Sequence, residues 1–78
     1  MPMTWQESAW RAVVRLTSRA GSSAFSRQQL IEEELGEIVR EVGSAGETPA
    51  QTLSRVLQEL RDQGMIEFQG QGQYRCLR

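Results

Sequence analysis

Apolar residues recur at helical spacing in three stretches of the chain, which predicts three amphipathic helices. The first covers about residues 5–20, the second begins after Ser26 and keeps its register to Val42, and the third runs from Pro49 to about Gln63. Their apolar faces are, in order, Ala9, Ala12, Val13, Leu16 and Ala20; Leu30, Ile31, Leu35, Ile38, Val39 and Val42; and Leu53, Val56, Leu57 and Leu60. We expect Gly36 inside the second helix to be tolerated at a cost of ~1 kcal/mol.

Each predicted helix begins at a Ser/Thr-x-x-Glu/Gln capping box: Thr4–Glu7, Ser26–Gln29 and Thr48–Gln51. In such a box the first side chain accepts a hydrogen bond from the opening turn, and the fourth reaches back to the cap. Pro49 adds a first helical residue that needs no N–H donor. Gly64 follows the third helix and is a natural stop, since it tolerates the left-handed conformation.

After Gly64 the pattern changes to two short strands, Met65–Phe68 and Gln73–Leu77, around a tight turn at Gly70-Gln71-Gly72. Ala24-Phe25 is predicted to be a short extended piece that pairs with this hairpin. The loops between helices are placed at residues 21–23 and 43–47. Three helices followed by a hairpin are typical of a winged helix-turn-helix, a mainly α fold with a small β-hairpin, here as one domain over residues 1–78.

Residue types limit the chemistry that this chain can perform. Its 78 residues contain no histidine and a single cysteine, Cys76, which excludes an internal disulfide and a conventional zinc site. No glycine-rich phosphate loop lies between a strand and a helix, so we expect no catalytic residues, no metal and no cofactor, and a binding domain in place of an enzyme. No apolar run approaches the ~20 residues that span a bilayer, and the sequence starts without a secretory signal pattern. We therefore expect a cytoplasmic location.

The net charge of −1 is unevenly distributed. Residues 26–47 hold two arginines and six acidic residues, whereas residues 48–78 hold four arginines and three acidic residues. A weak overall field implies modest non-specific affinity for DNA. Glu32-Glu33-Glu34 is interpreted as a solvated face of the second helix, and Arg11, Arg15 and Arg19 as a solvated stripe on the first.

The polar face of the third helix is the main candidate for a binding surface. In a winged helix-turn-helix this helix enters the major groove, and its N-terminal half faces the bases. The predicted base contacts are Ala50, Gln51, Ser54, Arg55 and Gln58, because Gln, Arg and Ser hydrogen-bond to base edges. The predicted contacts to the DNA backbone are Arg27, Thr48, Thr52, Gln71, Gln73 and Arg75. An ordinary solvated helix face and a polar hairpin without function remain open alternatives.

The stretch TPAQTLSRVLQELRDQGMIEFQGQGQYRCL, residues 48–77, resembles the C-terminal winged-helix domain of the Dam-replacing, DpnI-type restriction endonucleases of bacteria. Similar domains are attached to HNH nucleases. The resemblance extends more loosely back through Phe25–Arg27 and Leu30–Val39. It implies a reader of double-stranded DNA at GATC sites that carry N6-methyladenine on both strands. The chain lacks the family's nuclease domain with its acidic metal-binding residues, so the resemblance implies a recognition module, as a fragment or a stand-alone product.

The N6-methyl group projects into the major groove as a small apolar knob, and Ala50 beside Gln51, Ser54 and Arg55 is the predicted surface for it. Two other functions remain open for the same fold. The acidic second helix favours a protein-interaction or dimerisation module, and a transcriptional regulator fragment with an unrelated operator would share the fold and differ in sequence preference. The oligomeric state is also open.

Overall fold

The computed structural model describes residues 3–43 and 48–77. Three helices and three short strands follow one another as α1 (Trp5–Ala20), β1 (Ala24–Ser26), α2 (Arg27–Val42), α3 (Pro49–Asp62), β2 (Ile66–Gly70) and β3 (Gln73–Cys76). The predicted fold class, a winged helix-turn-helix, is therefore confirmed, including the extended piece before α2. Gly43 ends α2 in the left-handed conformation, whereas the other residues of the predicted loop, 44–47, lie outside the described ranges.

The core lies between the three helices and one face of the sheet. Each element contributes buried apolar side chains at the predicted spacing, among them Leu16, Leu30, Leu57, Phe25 and Tyr74. The inclusion of Ala20 in the apolar face of α1 was wrong. Ala20 is exposed because it ends the helix and borders the exposed turn at residues 21–23.

Of the three predicted capping boxes, the one at Ser26 forms in full and the one at Thr4 forms its cap hydrogen bond without the return bond from Glu7. The Thr4 hydroxyl accepts from the backbone N–H of Glu7 at 3.1 Å, and the Ser26–Gln29 box is complete, with both hydrogen bonds at 3.0 Å. The box at Thr48 was predicted wrongly, because this hydroxyl donates to the side-chain oxygen of Gln51 at 2.9 Å. The ψ angle of Thr48 is 83°, against 157° and 154° at the other two caps, so its side chain does not meet the opening turn.

Gly64 turns the chain directly from α3 into the hairpin. The N–H of Met65 donates to the carbonyl of Leu60 and that of Gly64 to Arg61, both at 3.0 Å, while Gly64 has a φ of 79°. These two bonds form the Schellman motif that commonly ends a helix. Strand β2 starts immediately afterwards and packs against α3, which fixes the wing beside this helix.

The sheet has the order β1-β3-β2 and is antiparallel throughout. Gln71 and Gly72 form the tip, with φ angles of 52° and 75°, as in the two-residue type I′ turn. Ser26 pairs with Gln73, so this turn lies next to the start of α2. The backbone N–H of Arg27 confirms the proximity by donating to the carbonyl of Gly72 at 2.9 Å.

Glu34 is not part of a solvated face, which corrects the interpretation of the acidic run. Its side chain is 5% exposed and lies 2.7 Å from Arg15 and 3.2 Å from Arg19. The spacing of four from Leu30 and Ile38 explains the burial, since it puts Glu34 on the inner face of α2. Arg15 and Arg19 are therefore ion-paired to α2, and the hydrogen bond with Glu34 raises the pKa of Arg15.

Candidate nucleic-acid interface

The predicted polar face of α3 is open to solvent along its length. Gln51, Arg55 and Gln58 are exposed, whereas the opposite stripe of the helix is buried at Leu53, Val56, Leu57 and Leu60. Ala50, Thr52 and Ser54 are half-buried at the margins of that face. An exposed row of this kind is what a helix needs in order to present side chains to base edges.

Arg27 connects α2, α3 and the wing. Its Nε donates to the Ser54 hydroxyl at 2.6 Å, and one terminal nitrogen approaches the Ala50 carbonyl at 3.4 Å. The Ser54 hydroxyl also donates to that carbonyl at 3.1 Å. Together with the backbone bond to Gly72, these contacts let one residue set the relative position of the two helices and the turn. The spacing of the sequence does not indicate the pairing of Arg27 with Ser54, because the residues belong to different helices.

The side chain of Gln51, in the first turn of α3, is held by Thr48, the residue before the helix. The Thr48 hydroxyl holds the Gln51 side-chain oxygen at 2.9 Å, and both side chains are exposed. The amide nitrogen of Gln51 has no hydrogen-bond partner within the ranges that the structure describes. This hydrogen bond orients the amide of Gln51. The Thr48 hydroxyl thus positions a polar side chain at the N-terminal end of α3 in place of capping the helix.

The wing residues do not all face the same way. Gln71 is exposed at the tip of the turn, and Gln73 is exposed where β3 begins. Arg75 is exposed on the outer face of the sheet, because Tyr74 and Cys76 on either side of it are buried on the inner face. Arg75 therefore does not share the surface of Arg55, and any contact it makes with DNA would be along the outer side of the wing.

Phe68 is a surface residue that the sequence pattern did not single out. It occupies the inner face of β2 two residues after buried Ile66, yet its side chain remains 45% exposed. Its ring packs at a tilt on Tyr74, with centroids 5.4 Å apart. An exposed aromatic in the wing close to α3 could have been noticed only once the register of the hairpin was known.

The arginines at the start of α2, on the exposed face of α3 and on β3 make no ion pairs among the described residues. Within residues 3–43 and 48–77, ion pairs involve Arg15, Arg19, Arg40 and Arg61, and none involves Arg27, Arg55 or Arg75. The acidic residues of α2 pair with α1 or lie on α2 itself. The first turn of α2 contains no acidic residue, so Arg27 has no carboxylate next to it in its own helix, whereas Arg75 lies opposite Glu67 across the two strands.

The described part of the chain contains neither a cluster of metal-ligating side chains nor a helix that could span a membrane. No group of three or more His, Cys, Asp or Glu side chains there could hold a metal ion. No described helix is both long enough and apolar enough to cross a membrane.

Comparison with known proteins gives one match. A model of the Dam-replacing HTH domain, DpnI_C, matches residues 9–76, which include α2, α3 and the hairpin in full. No curated protein and no solved structure matches the chain. A helix-turn-helix domain indicates DNA binding and thus agrees with the exposed polar face of α3. Because the match covers most of the sequence, the chain belongs to the Dam-replacing HTH domain family.

Proposed function

We propose that this domain is the DNA-recognition module of a methyl-directed restriction endonuclease, and that it binds duplex GATC sites carrying N6-methyladenine. One observation supports DNA binding most strongly: Arg27 joins the start of α2, the first turns of α3 and the wing turn into one surface. These are the three elements that a winged helix-turn-helix applies to DNA. Arg27 and Arg55 on this surface make no ion pair within the described ranges.

In this proposal the exposed side chains of α3, Gln51, Arg55 and Gln58, contact the bases. Arg55 can donate two parallel hydrogen bonds to a guanine, and the amides of Gln51 and Gln58 suit an adenine. The small side chain of Ala50 leaves room for a methyl group at the N-terminal end of the row. The Ser54 hydroxyl accepts a hydrogen bond from Arg27 and donates one to Ala50. In this proposal Ser54 therefore holds Arg27 in place, and it can contact a base only by accepting a second hydrogen bond.

Residues around the edge of this surface contact the DNA backbone in this proposal. Arg27 uses two of its nitrogens inside the protein and retains further N–H donors for a phosphate. Thr48 and Thr52 lie at the N-terminus of α3, where the helix dipole favours a phosphate. Gln71 and Gln73 at the wing turn, and Arg75 on its outer face, complete the set. These contacts would fix the register of α3 without carrying sequence information.

An alternative function rests on the exposed part of the acidic helix. Glu32, Glu33 and Glu37 of α2 are exposed and could meet a basic partner protein or a second copy of the domain. A transcriptional regulator fragment is a further alternative, which would bind DNA with a different sequence preference.

A fluorescence titration separates these possibilities. Two duplexes that differ only in adenine methylation of one GATC are compared at two salt concentrations. The proposal predicts tighter binding of the methylated duplex and weaker binding at higher salt, since phosphate contacts release counterions. Equal affinity for both duplexes would remove the methyl-specific part, and no binding at low salt would favour the protein-interaction module.

A further inference from the structure

The inner face of the wing ends in an exposed aromatic ring with no counterpart elsewhere in the described sheet. The rings of Phe25 and Tyr74 stack with their centroids 5.5 Å apart, and the Phe68 ring packs on the Tyr74 ring at a centroid distance of 5.4 Å. Phe25 is buried and Tyr74 nearly so, whereas 45% of Phe68 remains in contact with solvent. Tyr74 thus supports one side of the Phe68 ring and leaves the rest of it available.

The position of Phe68 relates it to the proposed DNA surface. It lies two residues before Gly70, or about 7 Å along the strand, and the adjoining turn is bonded to Arg27, which reaches Ser54 and Ala50 on α3. Strand β2 itself packs against α3. The ring therefore lies near the wing turn, which Arg27 connects to the N-terminal half of α3, and Arg27 makes no ion pair within the described ranges.

Duplex DNA offers few apolar groups to such a ring. In the major groove the apolar groups on base edges are methyl groups, either on C5 of thymine or added to N6 of adenine, and phenylalanine is among the side chains that contact them. We propose that Phe68 is a specificity-determining residue that packs against a base methyl group in the major groove. This inference rests on the proposed DNA binding. It adds a contact between the wing and a base methyl group to the one proposed for Ala50 on α3.

The matched control is Leu77, the other large apolar side chain that is exposed in the described ranges. It has the same 45% exposure but follows β3 at the opposite end of the sheet, where its N–H bonds to Met65. Phe68→Ala and Leu77→Ala remove comparable exposed surface, so a general effect of lost apolar area would appear in both. Phe68→Leu retains an apolar side chain and should recover part of the function.

Binding is measured with three GATC duplexes: unmodified, N6-methylated on adenine, and with deoxyuridine replacing thymine. For the wild type, burial of one methyl group predicts about a fourfold higher affinity for the duplex that carries the contacted methyl. Phe68→Ala should lower that ratio by about fourfold and leave the affinity for the methyl-free duplex unchanged, while Leu77→Ala retains the ratio. If Phe68→Ala lowers the affinity ratio between the N6-methylated and the unmodified duplex, the contacted group is the methyl of methyladenine. If it lowers the ratio between the unmodified and the deoxyuridine duplex, the contacted group is the methyl of thymine.

Two results would overturn the assignment while leaving DNA binding intact. One is a methyl preference that is undiminished in Phe68→Ala, or that the wild type itself lacks. The other is an equal loss of affinity for all three duplexes, which would indicate contact with the sugar-phosphate backbone. A wild type that binds none of the duplexes at low salt would instead contradict the proposed function as a whole.

Discussion

The guanidinium of Arg27 and the hydroxyl of Ser54 lie 2.6 Å apart and connect the first turn of α2 to the recognition helix. Ser54 accepts this bond while it donates to the carbonyl of Ala50 in its own helix. Arg27 has no carboxylate partner among the described residues, so a serine and a carbonyl hold it in place. This arrangement ties the position of α3 to a cation that still has donors for DNA.

Ser54→Ala removes the hydroxyl that Arg27 contacts. We expect it to lower the free energy of unfolding by about 1 kcal/mol, the usual contribution of one such hydrogen bond. Affinity for DNA should fall to a similar degree for every duplex, because the main effect of the change is to release Arg27, a predicted contact to the DNA backbone. Chemical denaturation and titration of two unrelated duplexes test this, and a change in sequence preference would show that Ser54 itself reads a base.

Arg55→Ala removes the central cation of the exposed row on α3. If Arg55 reads a guanine, discrimination against a changed base should fall by about 1–3 kcal/mol, with no loss of stability because the side chain is exposed. Arg61→Ala is the control, since Arg61 is an exposed arginine of the same helix that lies near its C-terminus and 3.5 Å from Asp62. Equal effects of the two substitutions in a competition assay would argue against a reading role for Arg55.

Gln71 has a φ of 52°, a conformation that non-glycine residues adopt at a cost of about 1 kcal/mol or more. Gln71→Gly relieves this strain at the expense of a more flexible unfolded chain, so the melting temperature should change little. We expect weaker binding of DNA nonetheless, because the side chain at the tip is lost. Full retention of affinity would indicate that the tip does not touch DNA.

Gly72→Ala tests the turn itself. Nothing lies within 4 Å of a Cβ at this position, so the cost arises from the φ of 75° alone. We expect a loss of about 1–2 kcal/mol in the free energy of unfolding, measured by denaturation. A smaller loss would mean that the wing rearranges to another type of turn.

Glu34→Gln retains the shape of the buried side chain and removes its charge between Arg15 and Arg19. We expect a loss of about 1–2 kcal/mol in stability, less than for a fully buried pair because both arginines are partly exposed. Glu32→Gln is the control on the same helix, exposed and bonded to Gln28, and should have little effect. If the two variants unfold alike, the buried ion pair does not stabilise the packing of α1 on α2.

Local signals made most of the fold predictable from the sequence. Capping serines and threonines, Gly64 and the apolar spacing gave the helix ends to within one residue, because caps and stops depend on a few neighbours. Thr48 did not form its box, since its backbone leaves the extended conformation that a capping side chain needs. Glu34 is buried because partners on α1 neutralise it, and a run of three glutamates does not reveal such partners.

The candidate site was predictable in part. Periodicity located the exposed row at Gln51, Arg55 and Gln58, because only one face of α3 can be buried. The Arg27–Ser54 pair depends on the crossing of two helices, and the exposure of Phe68 depends on where the sheet extends beyond the helices. Both are tertiary features, so neither is visible in the spacing of one segment.

The salt dependence of DNA affinity distinguishes a DNA-binding surface from an ordinary solvated one, because only the former releases counterions. Affinity of the wild type and of Arg55→Ala for one methylated GATC duplex would be measured over a series of salt concentrations. We expect a linear fall of log affinity with log salt, with a slope of about −2 from the two arginines assigned to phosphates, Arg27 and Arg75. Arg55→Ala should bind more weakly at every salt concentration. A flat dependence, or no binding at low salt, would contradict DNA recognition by this surface.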